Sequence, residues 1–372
     1  MASYAINVPD DKIAALKQKL SQATFPDELE GAANDYGAPL AEVKRLTEYW
    51  KTSYDWKAAE AKLNALPNFH KPIKVDGFPA LDIHYLHQPS DSPDAIPLLF
   101  CHGWPGSYVE VTKMLGSLKQ SVNGVSFHVV APSTPNFAWS EGRKQRAFGL
   151  KQYAEVSNIH PPYSSTHFNT AQVNHRLMHS LGYTKYVTQG GDWGFYITRA
   201  MGLLYPQSVM ASHINIIRAS APTWTSHPLL ALQHALQPYS QREKEGFERN
   251  YPWSDDDLLT WISIYHFSTA GPAASLRIYY EAVHSELGGV SRDRTQQWIG
   301  KVKLGLCHSP RELTVVPSTW ARTLGPVVFE SFKEKGGHFA AWEVPEEIVG
   351  DLRGMFGRGG ACYGITGPVA KL

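Results

Sequence analysis

The run Tyr186-Val187-Thr188-Gln189-Gly190-Gly191-Asp192-Trp193-Gly194 reads as a buried strand, a sharp glycine turn and the start of a helix, with a carboxylate at the apex. The glycines matter because a strand and a helix joined by so tight a turn come too close to tolerate side chains. A carboxylate presented this way is a candidate nucleophile, able to displace a leaving group from an sp3 carbon and form an alkyl ester. Aspartate is also favoured as a helix N-cap. The flanking glycines and a histidine loop further along favour the nucleophile.

Hydrolysing such an ester takes a base, and an acid to orient it. In chain order Asp192, Glu312 and His338 supply all three, with His338 in the loop Lys335-Gly336-Gly337-His338. A neutral His338 is a competent base near pH 7, and a carboxylate beside it steadies the imidazolium that forms. On residue type alone Glu330, Glu334 and Glu343 compete with Glu312. The backbone N–H of Trp193 and one from His102-Gly103-Trp104-Pro105, that of Trp104, form the expected oxyanion hole. His102 reads as a residue that organises this backbone.

The leaving group decides the substrate class. An epoxide leaves as an alkoxide and calls for a proton donor, whereas a halide needs only weak N–H donors such as indoles. Tyr239, Tyr251, Tyr265, Tyr279 and Tyr280 lie in the segment that follows the elbow helix, and tyrosines there favour an epoxide. Phe137, Trp139, Trp224 and Phe339 are candidate walls of an apolar pocket, although core packing explains each nearly as well.

The elements that position these residues alternate β and α. Ile73-Lys74-Val75 and Leu81 to Tyr85 alternate with period two around Asp76-Gly77-Phe78-Pro79, which predicts a hairpin. Pro97 to Cys101 and Phe127 to Pro132 are apolar runs ending in loops, as expected of central parallel strands. A helix over about 168–181 leads to the Asp192 strand, and Trp193 to Tyr205 forms the helix after it. The last strands are Lys303 to Cys307 and Val327 to Phe332. This order predicts a doubly wound, mostly parallel sheet. It divides the chain into an N-terminal helical meander (1–75), a core in two parts (76–219 and 301–358), a helical lid (220–300) and a loosely ordered tail (359–372).

Composition excludes several partners. Of 372 residues, 35 are basic and 34 acidic, a net charge of +1 that leaves no field suited to nucleic acid or an anionic membrane. The three cysteines, Cys101, Cys307 and Cys362, suit neither a disulfide framework nor a zinc site. The first twenty residues lack the unbroken apolar stretch of a signal peptide or anchor. A cytoplasmic protein without metal or cofactor, acting on a small apolar molecule and water, is the expectation. A homodimer is compatible with the sequence but not derivable from it.

The chain resembles the microsomal-type epoxide hydrolases, fungal members included, over nearly its whole length. The resemblance rests on His102-Gly103-Trp104-Pro105-Gly106-Ser107, Gly190-Gly191-Asp192-Trp193-Gly194 and Gly336-Gly337-His338-Phe339-Ala340-Ala341-Trp342-Glu343. It implies an α/β-hydrolase fold and hydrolysis of an epoxide to a vicinal diol, in a detoxifying or secondary-metabolic role. It makes Asp192 the nucleophile, His338 the base and Glu312, in Pro310-Arg311-Glu312-Leu313, the orienting acid. In that family two lid tyrosines hold the epoxide oxygen, and Arg277-Ile278-Tyr279-Tyr280-Glu281 places Tyr279 on the second. The first has no match, because Glu248-Arg249-Asn250 runs straight into Tyr251-Pro252-Trp253-Ser254 where family members carry several tens of further residues. Two rivals remain: dehalogenase-like displacement of halide through Asp192, and a catalytically silent binding protein with a shortened lid.

Overall fold

A computed structural model describes residues 3–75, 77–151, 173–236, 253–284 and 290–367. Its centre is an eight-stranded sheet, comprising β1 (Asn68–Val75), β2 (Phe78–Gln88), β3 (Ile96–Cys101), β4 (Phe127–Pro132), β5 (Tyr186–Gly190), β6 (Val209–Ile214), β7 (Lys303–His308) and β8 (Val327–Phe332). The strand order is β1-β2-β4-β3-β5-β6-β7-β8. The expected hairpin is present, with Val75 opposite Phe78. β2 is also antiparallel to β4, and every later pairing is parallel. This is the α/β-hydrolase architecture that the resemblance implies.

Both faces of the sheet are covered, so its central strands read as continuous apolar runs rather than alternating ones. Along β3, Leu98 and Phe100 enter a core shared with the helix Pro345–Phe356. Leu99 and Cys101 point to the opposite core, shared with the helix Trp193–Leu204. One register fact positions the chemistry: Cys101 pairs with Gly190. The loop that follows β3 and the turn that follows β5 therefore leave the sheet side by side, at the carboxyl edge where such folds bind ligands.

β6 is a strand that the sequence reading passes over. Its residues Val209-Met210-Ala211-Ser212-His213-Ile214 are broken by two polar side chains, each of which finds a partner inside the fold. Ser212 accepts from the Thr188 hydroxyl at 2.9 Å, and His213 Nε2 lies 3.3 Å from Asp351. The tail is more ordered than expected. Up to residue 367 it forms turns, with Cys362 buried and its N–H donated to the Met355 carbonyl at 3.0 Å.

The meander braces the lid. Its helices Asp10–Ser21, Leu40–Thr52 and Trp56–Asn64 precede the sheet, and the described lid helices are Pro228–Leu236, Asp255–His266, Arg277–His284 and Arg292–Thr295. Arg45 holds Asp255 at 2.6 Å, Tyr49 donates to Asp256 at 2.9 Å, and the Trp56 ring packs on Phe267. Ser254 caps the helix Asp255–His266, accepting from the Asp257 N–H at 3.1 Å. Residues 248–252, on the flank of the expected lid gap, lie outside the described residues, as do Tyr239 and Tyr251. Of the helix expected over about 168–181, Val173–Ser180 is described.

Candidate active site

Asp192 stands between β5 and the helix Trp193–Leu204 with φ 48° and ψ −121°. A positive φ is strained for a residue with a side chain, by roughly 1–3 kcal/mol, and such strain collects at functional sites. The glycines explain how the turn closes. A Cβ on Gly190 would lie 2.5 Å from the Gly194 carbonyl, and one on Gly194 would overlap the carbonyl oxygen of Cys101. The aspartate caps nothing with its side chain. Its Oδ1 instead accepts the Trp104 N–H at 2.7 Å, across the two neighbouring loops.

The candidate base, His338, arrives from the far end of the chain. A parallel bridge between Arg311 and Gly337 lays the loop after β7 against the loop after β8, which puts Glu312 beside His338. The buried Glu312 carboxylate accepts from His338 Nδ1 at 2.5 Å and from the Leu313 N–H at 2.6 Å. Nε2 of the same ring then faces Asp192 Oδ2 at 3.5 Å, an ion-pair distance rather than a hydrogen bond. Burial alone would lower the His338 pKa, but the two flanking carboxylates outweigh it and push it up to about 10.

Two of the competing glutamates are engaged elsewhere. Glu330 pairs with His308 at 3.0 Å and with Arg322 at 2.5 Å. Glu343 accepts the Gly337 N–H at 2.9 Å, helping to shape the histidine loop, and Glu334 has no contact that places it at His338. His102 organises backbone: its Nδ1 donates to the Gly103 carbonyl at 2.9 Å while Nε2 accepts the Thr134 N–H at 3.0 Å. Burial pushes it down to about 4, so it stays neutral.

Tyr279, on the helix Arg277–His284, sits edge-on to both Trp104 and Trp193, with ring centroids 5.3 and 4.8 Å away. Burial, and after it the nearby Asp192 charge, keeps its pKa raised. The Trp104 indole donates to Ser275 Oγ at 3.2 Å. Among the candidate wall residues, Phe137 meets His102 edge-on at 5.0 Å and Phe339 meets His338 at the same distance. Trp139 lies instead in the core, donating to the Tyr108 hydroxyl at 3.0 Å and packing against Trp56 of the meander. Trp224 is 63% exposed on the stretch before the helix Pro228–Leu236. Glu110 and Trp261, which the sequence did not single out, reach the His102–Gly106 loop, as does Tyr265 of the lid tyrosines. The position of Glu110 just after that loop was the available signal.

No group of three metal-ligating side chains is assembled among the described residues. His175 and His179 fall four apart on one helix, but the His175 ring shares a hydrogen bond with the Tyr186 hydroxyl at 2.7 Å and stacks on Tyr205. No helix among the described residues is long and apolar enough to cross a membrane. The three cysteines are free and buried.

Comparison with known proteins bears on the family and the fold. Residues 1–111 match the family described as epoxide hydrolase N terminus, and residues 96–252 match the alpha/beta hydrolase fold. A Stigmatella aurantiaca protein bearing an epoxide hydrolase name is 30% identical over 400 residues, covering 95% of this chain and 84% of that one. The chain belongs to the epoxide hydrolase family, of the microsomal and fungal type. Rabbit (Oryctolagus cuniculus) epoxide hydrolase 1 is 27% identical over 424 residues, covering 94% of this chain and 87% of its own. Both alignments are longer than the 372-residue chain, so each relative carries residues that this epoxide hydrolase does not. Two solved structures share its fold. They are the Aspergillus niger epoxide hydrolase, with TM-score 0.69, 24% identity and 95% of both chains covered, and the Bombyx mori juvenile hormone epoxide hydrolase, with TM-score 0.75, 21% identity and 94% and 92% covered.

Proposed function

We propose that this epoxide hydrolase works through a covalent aspartyl ester. The observation that carries the reading is the placement of Asp192, one oxygen on the Trp104 N–H and the other facing a histidine that Glu312 orients. Oδ2, not held by a backbone donor, attacks a ring carbon in line. The carbon–oxygen bond of the ring breaks, and the departing oxygen takes the proton of Tyr279. Oδ1, already on a backbone N–H, becomes the ester carbonyl oxygen.

His338 then removes a proton from water, whose oxygen adds to Cγ of Asp192. The oxyanion that forms on Oδ1 is stabilised by the N–H of Trp104 and that of Trp193, the first residue of its helix, whose amide lacks an intrahelical acceptor. Collapse passes the second proton of the water to the leaving diol oxygen and restores the carboxylate, with His338 protonated again as in the resting enzyme. The sum is one epoxide and one water giving one vicinal diol.

Charge explains the order of the steps. In the resting enzyme two carboxylates hold His338 protonated; once Asp192 is esterified, one of those charges is gone, and the imidazole gives its proton to the Tyr279 phenolate left by ring opening. The enzyme thus acquires its base when an ester exists to be hydrolysed. An epoxide is favoured over a halide because the Trp104 indole is engaged with Ser275, while the Tyr279 phenol ring packs edge-on against the two tryptophans that flank Asp192. We assign the enzyme a small apolar epoxide, a cytoplasmic location and a detoxifying or secondary-metabolic role.

The test is the intact mass of folded His338→Gln protein after incubation with a panel of aryl and alkyl epoxides. One added substrate mass on the Asp192 peptide is expected, and none in Asp192→Ala. Release of diol by folded His338→Gln at the native rate would refute the assigned roles, and so would a folded protein left unmodified across the panel.

A further inference from the structure

Two glycines in His102-Gly103-Trp104-Pro105-Gly106 make room for two different carboxyl groups. A Cβ on Gly103 would lie 2.6 Å from Cβ of Asp192, and one on Gly106 would overlap Oε1 of Glu110. The first carboxyl is the nucleophile. The second belongs to a buried residue on the 3-10 turn Tyr108–Val111, and the mechanism above gives it no work. Glu110 Oε1 accepts the Gly103 N–H at 3.1 Å.

The lid grips the same loop at other points. The Trp261 indole donates to the Pro105 carbonyl at 2.5 Å, and the Tyr265 hydroxyl donates to the Gly106 carbonyl at 2.7 Å. With the Trp104 indole on Ser275, the loop from 103 to 106 is held along its length. What remains pointing into the site is the Trp104 N–H, 2.7 Å from Asp192 Oδ1. A hydrogen-bond donor aimed at developing charge is effective only if it is held there in advance. A loop carrying two glycines does not hold itself.

We propose that Glu110 is a positioning residue for the oxyanion loop: it holds the Gly103 N–H while Tyr265 holds the Gly106 carbonyl, and together they fix the Trp104 N–H on the oxygen that becomes the ester carbonyl. This rests on the ester mechanism above. Burial pushes the Glu110 carboxyl up to about 8, so near neutral pH it accepts from Gly103 without adding a second negative charge beside Asp192. The charged or titratable groups that act on it are His338, Asp192 and Tyr265.

The experiment follows ester formation and ester decay by rapid quench and intact mass, with styrene oxide as probe, in wild type, Glu110→Ala, Glu110→Gln and Tyr265→Phe. Amide hydrogen exchange of the segment 101–107 is measured in the same proteins. Glu110→Ala should slow ester decay on the order of 10²-fold, the scale of a lost oxyanion donor. Glu110→Gln, which keeps a carbonyl acceptor, should recover most of it. Exchange in segment 101–107 should quicken in Glu110→Ala and Tyr265→Phe while the sheet stays protected. Unchanged exchange in that segment, or native ester decay in folded Glu110→Ala, would overturn the proposal. If the alanine variant does not fold, Glu110→Met, which fills the volume without an acceptor, is judged by the same two readouts. A wild type that forms no ester on Asp192 would refute the mechanism instead, and the exchange result would still decide the role of Glu110.

Discussion

Replacing Asp192 by asparagine removes one of the two charges that hold the His338 proton while nearly preserving shape, and so mimics the electrostatics of the proposed ester intermediate. Unit charges 3.5 Å apart interact by roughly 5 kcal/mol at an effective dielectric of about 20. Both side chains are largely shielded, at 12% and 18% exposed, so most of that interaction survives. Each pKa unit corresponds to about 1.4 kcal/mol, which converts it to roughly 2–3 units. The imidazole of Asp192→Asn should therefore titrate roughly 2–3 units below the wild-type value of about 10. NMR titration reads this directly, with the His338 resonance assigned by its absence from His338→Gln. A fall of less than about one unit would show that Asp192 does not hold the proton, and the charge-driven order of the two steps would fail.

Stability should follow the same linkage. A histidine whose pKa is raised by folding contributes stabilisation that is complete below its ordinary value of 6.5 and is lost as pH rises through about 10. The Tm advantage of wild type over Asp192→Asn should accordingly shrink across that window.

Tyr279→Phe should slow ester formation on the order of 10²-fold and leave ester decay unchanged, as rapid quench can measure. Gly194→Ala puts a methyl group into the Cys101 carbonyl oxygen and should abolish soluble expression or activity, checked by thermal melting and turnover. Asp351 is a buried anchor, receiving Lys333 at 2.6 Å, Ser331 at 2.7 Å and His213 at 3.3 Å. Asp351→Ala leaves Lys333, only 9% exposed, with Glu347 alone, and should cost roughly 3–5 kcal/mol in urea unfolding. Burial alone would raise the Asp351 pKa, but His213, Lys333 and Ser331 hold it down to about 2. Its stabilisation should thus be complete above 3.8 and vanish as pH falls toward 2, a loss that Asp351→Ala should no longer show.

Much of this protein was legible along the chain, and for a common reason. Gly190-Gly191-Asp192-Trp193-Gly194 announces its turn because the steric demands of an elbow act between residues a few positions apart. β3, β4 and β5 read as strands because burial on both faces leaves an unbroken apolar run. The sequence alone could also order the candidate nucleophile, acid and base, since each follows a strand and so reaches one edge of the sheet. What it could not do was choose among equal residue types. Glu312 rather than Glu330 meets His338 because a bridge from Arg311 to Gly337 joins two distant loops, and no local pattern encodes that contact. β6 was passed over because Ser212 and His213 look like surface until Thr188 and Asp351 satisfy them inside. Trp139 and Trp224 carry the same composition signal, yet one is packed under the meander and the other is exposed. No local pattern marks Glu110, and only the fold buries it against Gly103. Short-range sterics and periodicity belong to the sequence; which charge meets which, and which aromatic is covered, depends on surfaces that exist only once the chain has folded.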